Sequence, residues 1–292
     1  MKRMPTARAD GRTRRRARRG LTIYFAIVVV LSALFEGIVI SRPDIDGPFI
    51  AGLMWVPAIA SVVARLVLRE GFSDVSFRFG GRRGLGAVGF ALIFPVVIGF
   101  VAYGIAWTTG LARFDGTTDG GASPVVELVI GIFLAITLWT ALSSILAAGE
   151  EIGWRGYMLT RLIDAGVPRP ILASGVIWGL WHVPVVLAGG YAAGPSPVLS
   201  AAVIMVSITS FGYVIARSRL ETGSIWPAIV LHAAWNSVIQ GPFDEAATGT
   251  GATLWVGESG ILTALVLVVA AIVLSRGRWN LLRRPAPVRP VA

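Results

Sequence analysis

The chain contains no cysteine. Disulfides, thiolate chemistry, iron–sulfur clusters and cysteine-ligated zinc are therefore excluded. Charge is also scarce: 14% of the 292 residues are Asp, Glu, Lys or Arg, against roughly a quarter in soluble domains. Histidine occurs only twice. There is no Walker loop, no dinucleotide fingerprint and no zincin helix with two histidines four apart. No internal repeat, soluble domain or low-complexity linker interrupts the chain. What is plentiful is apolar: 55% of residues are hydrophobic and the mean hydropathy is +0.73. This composition belongs to a multi-pass protein of the cell membrane.

A helix needs about 20 apolar residues to cross the hydrocarbon core. Eight segments meet this expectation: Leu21 to Ile40, Pro48 to Leu68, Gly84 to Trp107, Val125 to Leu146, Pro170 to Leu187, Pro197 to Ala216, Ser224 to Gln240, and Glu258 to Ser275. No barrel-type alternation appears, so the fold class is all-α, a transmembrane helical bundle of about eight spans. Pro57, Pro95 and Pro184 fall inside apolar runs and are expected to mark kinks or breaks.

The loops alternate in charge. Arg65 to Arg83 holds five arginines, Arg161 and Arg169 flank Asp164, and Arg217 and Arg219 precede Glu221. The intervening loops carry Arg42 with Asp44 and Asp46, Arg113 with Asp115 and Asp119, an uncharged turn near Gly190, and Asp244 with Glu245. The positive-inside rule then places both termini in the cytoplasm. Residues 1–20, with nine Lys or Arg and one Asp, dominate the net charge of +10. An apolar segment follows them at once, so they read as a basic cytoplasmic tail beside anionic lipid headgroups, with no nucleic-acid partner. The first apolar segment is long and lacks a small-residue cleavage site, unlike a cleavable signal. The organisation expected is a basic tail over 1–20, a membrane domain over 21–275, and a basic Pro-rich cytoplasmic tail over 276–292.

Ionisable residues within membrane spans are costly and usually face a cavity or a partner. Here they are mainly Glu36, Glu127, Glu150, Glu151, Arg155, His182 and His232, joined by the amide Asn236. The stretch "AAGEEIGWRGYML" places two carboxylates and an arginine after 22 residues, Leu128 to Gly149, without Asp, Glu, Lys or Arg. Glu151 and Arg155 are four apart, Glu first, the favourable order for a helical ion pair. Glu150 is five before Arg155 and points elsewhere, above Trp154. The spacing leaves Glu150 outside the ion pair, suited to act as a general base. A salt-bridged cap at the cytoplasmic helix end would account equally for these residues alone. His182, in "WGLWH", has Trp178 one turn before it, and His232, in "HAAWN", has Asn236 one turn after it. A shared polar site, in a cavity open to the cytoplasm, is the economical account of all of them. Glu36 and Glu127 are read as interfacial or structural.

The ordered motifs Glu-Glu-x-x-x-Arg in "EEIGWR", an aromatic-x-x-x-His in "WGLWH" and His-x-x-x-Asn in "HAAWN" resemble those of the CPBP family of intramembrane proteases. That family includes the type II CAAX prenyl proteases and many bacterial Abi proteins. The resemblance covers about Val125 to Gln240, the motif-bearing core, with Trp178 standing where the family pattern has Phe. It implies an endopeptidase acting on a peptide or protein substrate, membrane-associated substrates included. Glu150 would activate water, His182 would help to hold it, and His232 with Asn236 would line the oxyanion side. Glu151 and Arg155 would order the Glu helix. The family is often labelled metalloprotease: Glu150, His182 and His232 would supply two imidazoles and a carboxylate to Zn2+ or another divalent ion. Glu151 would then have to act as base while paired with Arg155, so a metal-free mechanism is preferred. The alternatives are a non-catalytic scaffold or bacteriocin-immunity or maturation factor of the same family, and a proton- or ion-coupled transporter.

Overall fold

The computed structural model describes residues 11–42, 46–115, 123–192 and 194–276. Residues 1–10 of the basic tail and the Pro-rich end beyond Arg276 lie outside the described residues, as do Asp44 and Asp119. Among the described residues eleven α-helices dominate: α1 (Gly11–Ser41), α2 (Asp46–Leu68), α3 (Gly81–Thr109), α4 (Pro124–Leu134), α5 (Thr140–Gly153), α6 (Leu159–Asp164), α7 (Pro170–Leu187), α8 (Pro197–Thr222), α9 (Trp226–Val238), α10 (Ala252–Trp255) and α11 (Ile261–Ser275). The strand content is one antiparallel pair, β1 (Arg113–Phe114) with β2 (Ala247–Thr248), among the described residues.

Each of the eight apolar segments falls on a helix, but among the described residues six helical runs are long and apolar enough to cross a membrane. The last two segments give α9, of 13 residues, and α11, of 15. At 1.5 Å per residue these are ~20 and ~22 Å long, short of a ~30 Å hydrocarbon core. Helix α1 begins inside the basic tail, so Arg12, Arg14, Arg15, Arg16, Arg18 and Arg19 are helical. Pro57, Pro95 and Pro184 sit within α2, α3 and α7, and each helix continues past its proline.

The fourth apolar segment extends much further than hydropathy indicates. Helices α4, α5 and α6 form one 41-residue helical run, Pro124–Asp164. They are joined by single π-helical turns at Ala135–Trp139 and Trp154–Met158. Glu150, Glu151 and Arg155 are therefore inside a helix and buried, rather than capping its end. Helix ends are set by packing as much as by hydropathy, and here small residues let α2 approach. A Cβ on Gly149 would fall 2.7 Å from the Met54 carbonyl oxygen, and one on Gly153 2.3 Å from Pro57 Cβ. Side chains larger than hydrogen would separate the helices, which is why small residues recur at close membrane crossings. Helix α7 meets α8 by the same device: a Cβ on Gly175 would lie 2.8 Å from the Thr209 carbonyl oxygen.

The basic loops gather at one end of the bundle. Arg161 pairs with Glu70 at 2.8 Å and with Asp74 at 2.9 Å. Arg219 donates to the Asp74 carbonyl at 2.6 Å, and the Ile225 N–H donates to the Ser76 carbonyl at 3.0 Å. At the opposite end, β1 joins β2, the Ser259 hydroxyl donates to the Ala192 carbonyl at 2.6 Å, and Tyr191 bonds Glu258.

Candidate active site

Three helices and one π turn deliver the polar residues. Helix α5 carries Glu150 and Glu151, and the π turn after it carries Arg155. Helix α7 supplies Trp178 and His182, and α9 supplies His232 and Asn236. Single π turns of this kind recur at functional sites; this one directly follows the paired glutamates.

Arg155 Nη1 lies 2.7 Å from Glu151 Oε1, and both side chains are fully buried. The same Oε1 accepts from His232 Nδ1 at 2.9 Å. The guanidinium carbon stacks 4.1 Å from the Trp178 ring centroid, a favourable contact for a desolvated cation. Gly212 of α8 makes room for it, since a Cβ there would lie 3.1 Å from Arg155 Nη2. Arg155, Glu151 and His232 thus form one chain of partners across two segments. Buried pairs repay their desolvation only through such additional contacts.

Glu150 stands apart from that chain, as its five-residue spacing from Arg155 anticipates. It is 2% exposed, and its Oε2 accepts from the Trp178 indole N–H at 2.7 Å. Its aromatic partner is therefore Trp178. Trp154, which the spacing places beneath Glu150, packs instead against Tyr24 and Trp181. The π turn starting at Trp154 shifts the side chains that follow it, so plain α-helical spacing misplaces that ring.

His182 Nδ1 lies 2.9 Å from the Trp178 carbonyl oxygen. A carbonyl can only accept, so Nδ1 carries the proton and Nε2 keeps its lone pair. By the same argument His232 Nδ1 donates to Glu151, and its Nε2 has no hydrogen bond among the described residues. Trp178 links the parts: its N–H reaches Glu150, its carbonyl fixes His182, its face carries Arg155, and its ring lies 5.2 Å from that of His232. A phenylalanine, the residue of the family pattern, could offer the face but not the indole N–H.

Glu150, His182, His232 and Asn236 line one cavity of about 160 Å³. Its remaining wall is largely apolar, with Val39 of α1, Leu53 and Met54 of α2, and Trp181 and Val185 of α7. Glu151 and Arg155 lie behind this wall rather than in it. Glu127, in the first turn of α4, does not reach the cavity.

Two carboxylates are placed differently from their sequence reading. Glu36, read as interfacial or structural, lines the same cavity as Glu150. It is 8% exposed and has no hydrogen bond or ion pair among the described residues. Glu258, read as the start of the last span, bonds Tyr191 and accepts from the Trp235 indole at 2.5 Å. It borders a narrow pocket shared with His182, His232 and Asn236. The rarity of carboxylates in apolar segments is the signal that could have singled out both.

Among the described residues, no three His, Asp or Glu side chains are grouped to hold an ion. Glu150 Oε2, His182 Nδ1 and His232 Nδ1 are each turned to a protein partner. These contacts leave Glu150 Oε1 and the two Nε2 atoms as the donors that a water or a metal ion would meet.

Residues 123–238 match the family model described as Rce1-like, type II CAAX prenyl endopeptidase. The matched stretch covers fewer than half of the residues and contains every site residue named above except Glu36, Tyr191's partner Glu258 and the apolar wall of α1 and α2. No curated protein matches the chain.

Proposed function

For a chain whose residues 123–238 match the Rce1-like type II CAAX prenyl endopeptidase model, we propose an intramembrane endopeptidase that hydrolyses a peptide bond with water activated by Glu150. The observation that carries this reading is the convergence of Glu150, His182, His232 and Asn236 on one cavity. Glu150 Oε1 is the free oxygen of a carboxylate whose other oxygen is anchored, so it can take a proton from water. The Nε2 lone pair of His182 accepts the water's second hydrogen and orients the oxygen. That oxygen attacks the carbonyl carbon of the scissile bond. The resulting oxyanion faces the Asn236 amide and His232, which donates from Nε2 when doubly protonated with Nδ1–H held on Glu151. Preorganised donors of this type contribute about 3 kcal/mol each. Collapse breaks the C–N bond, and Glu150 returns its proton to the leaving nitrogen, giving a carboxylic acid and an amine.

Arg155 and Glu151 act through their neighbours: they hold α5 against α7 and α9 and fix the His232 ring. Burial of the site within the bundle excludes bulk water, which strengthens each of these interactions. The substrate class is a peptide or protein segment in or beside the bilayer.

The test is cleavage of a peptide library by purified protein in detergent or nanodiscs, with and without a chelator. Wild type is expected to cleave in both conditions, and Glu150→Ala, His182→Ala and His232→Ala are expected to be folded and inactive. Cleavage that a chelator abolishes and Zn2+ restores would replace the metal-free mechanism. Folded wild-type protein with no cleavage, and a cellular phenotype that survives Glu150→Ala, would favour a scaffold role.

A further inference from the structure

One carboxylate in the Glu150 cavity takes no part in the reaction. Glu36 is 8% exposed, lines the same cavity as Glu150, His182, His232 and Asn236, and has no hydrogen bond or ion pair among the described residues. It lies on the inward face of α1, where Tyr24, Val28, Ser32 and Glu36 follow one another at four-residue intervals and all are buried. That face is fixed on two sides. The Ser32 hydroxyl, one turn before Glu36, accepts from the Trp181 indole N–H at 2.8 Å, and the Trp181 ring meets that of His182 edge-on at 4.9 Å. Beside Glu36, Phe35 packs so closely on α2 that a Cβ on Gly52 would fall 2.5 Å from its ring. Glu36 is thus held in the cavity wall one helical turn from the contact that leads to His182.

A carboxylate in an apolar interior is normally paired with a cation or a hydrogen-bond donor. No arginine or lysine lines this cavity among the described residues; Arg155 lies behind the wall and is committed to Glu151 and the Trp178 face. Glu150, ionised when it acts as base, adds a second negative charge to the same wall. The apolar part of the wall suits a long alkyl chain, with Val39, Leu53, Met54 and Val185 around it. Lysine and arginine join such a stem to a charged head. At about 160 Å³ the cavity has the size of one side chain, well below the roughly 300–1,000 Å³ of sites that enclose a whole small molecule.

We propose that Glu36 is a specificity determinant that receives the cationic head of a lysine or arginine of the substrate, next to the bond that Glu150 hydrolyses, while the alkyl stem lies on Val39, Leu53, Met54 and Val185. A peptide with a neutral or acidic side chain at that position leaves Glu36 buried and unpaired. Discrimination therefore comes from rejecting the wrong side chain as well as from holding the right one. The proposal rests on the endopeptidase reading for its substrate, but binding of such a peptide is measurable without turnover.

The test compares peptides that differ at a single position, carrying lysine, its neutral counterpart norleucine, or glutamate in turn at each site flanking the scissile bond. Cleavage is measured for wild type, Glu36→Gln and Glu36→Asp in nanodiscs. At one position wild type is expected to cleave the lysine peptide with a kcat/KM at least about 10-fold above that of the norleucine peptide, the lower end for a charge-assisted hydrogen bond. Glu36→Gln should bring that ratio close to unity, and Glu36→Asp, which retains the charge, should keep part of it. A wild-type ratio near unity at every position, or a ratio that survives in Glu36→Gln, overturns the proposal. The first of these outcomes needs only wild type, so a variant that fails to fold leaves the test intact. Fluorescence anisotropy of labelled lysine and norleucine peptides with Glu150→Gln, and with Glu150→Gln combined with Glu36→Gln, separates the subsite from the chemistry. Tighter binding of the lysine peptide that disappears with Glu36→Gln, in a chain whose wild type cleaves nothing, would refute the enzyme reading and leave the subsite standing. Equal binding of both peptides by both proteins would overturn the subsite whatever the activity.

Discussion

Trp178 is the side chain on which the most partners depend. Its indole N–H holds Glu150 at 2.7 Å, and hydrogen bonds to charged groups contribute roughly 1.5–3 kcal/mol. Trp178→Phe keeps the aromatic face beneath Arg155 and removes this donor. The expected consequence is a kcat about 10-fold to 100-fold lower with little change in KM, since 1.36 kcal/mol corresponds to a factor of ten in rate. An unchanged kcat in steady-state assays would show that the bond does not position the base. Arg155 poses a question of stability. Removing one partner of a buried pair leaves the other uncompensated and costs about 3–5 kcal/mol. Arg155→Ala should therefore lower the melting temperature in detergent markedly. The double change Arg155→Ala with Glu151→Ala should restore part of it, and thermal denaturation of all three proteins measures both effects. The Glu151–Arg155 contact was legible in the sequence because four-residue spacing is a local geometric rule. The Glu150–Trp178 and Glu151–His232 bonds were not, because they join residues 28 and 81 positions apart through helix packing that no local pattern encodes.

At the scale of elements, the decisive contact is between α5 and α2. The backbone of α2 lies so close to Gly149 and Gly153 that neither position has space for a Cβ. Gly153→Leu should push α5 away and lose activity together with folded yield, as read by size-exclusion chromatography and cleavage. A surface glycine with open space around it, such as Gly86, should tolerate alanine in the same assays. The eight apolar segments were legible from composition, and each coincides with a helix. Their lengths were less so: α9 and α11 are shorter than a span, and the helix bearing the glutamates runs on to Asp164. Hydropathy ends a segment at its first charges. Here packing against α2 and α7 and the partners of Glu151 and Arg155 sustain the helix beyond them.

On the scale of the molecule, the basic loops are tied together at one end of the bundle by ion pairs centred on Asp74. These contacts draw on α2, the loop after it, α6 and α8, so they assemble only when the helices have packed. Asp74 is shared by Arg65, Arg161 and, through its carbonyl, Arg219. Asp74→Asn should loosen that end and raise the rate of amide exchange at Tyr157 and Gly156 while leaving α9 protected, a pattern that hydrogen-exchange mass spectrometry resolves. The charge alternation of the loops was legible in the sequence, and the basic loops do share one end. The place of Glu36 in the cavity was not, since a lone carboxylate in an apolar helix has no periodic partner to reveal which face it serves.

The central claim is that Glu150 activates the attacking water. It is tested most directly by single-turnover cleavage of one identified peptide by purified wild type and Glu150→Gln, which retains the shape and the hydrogen bond from Trp178 but cannot accept the proton. The account predicts cleavage by wild type and a fall of at least about 100-fold in the variant, the lower end of what a positioned general base supplies. Equal rates for the two proteins would contradict it.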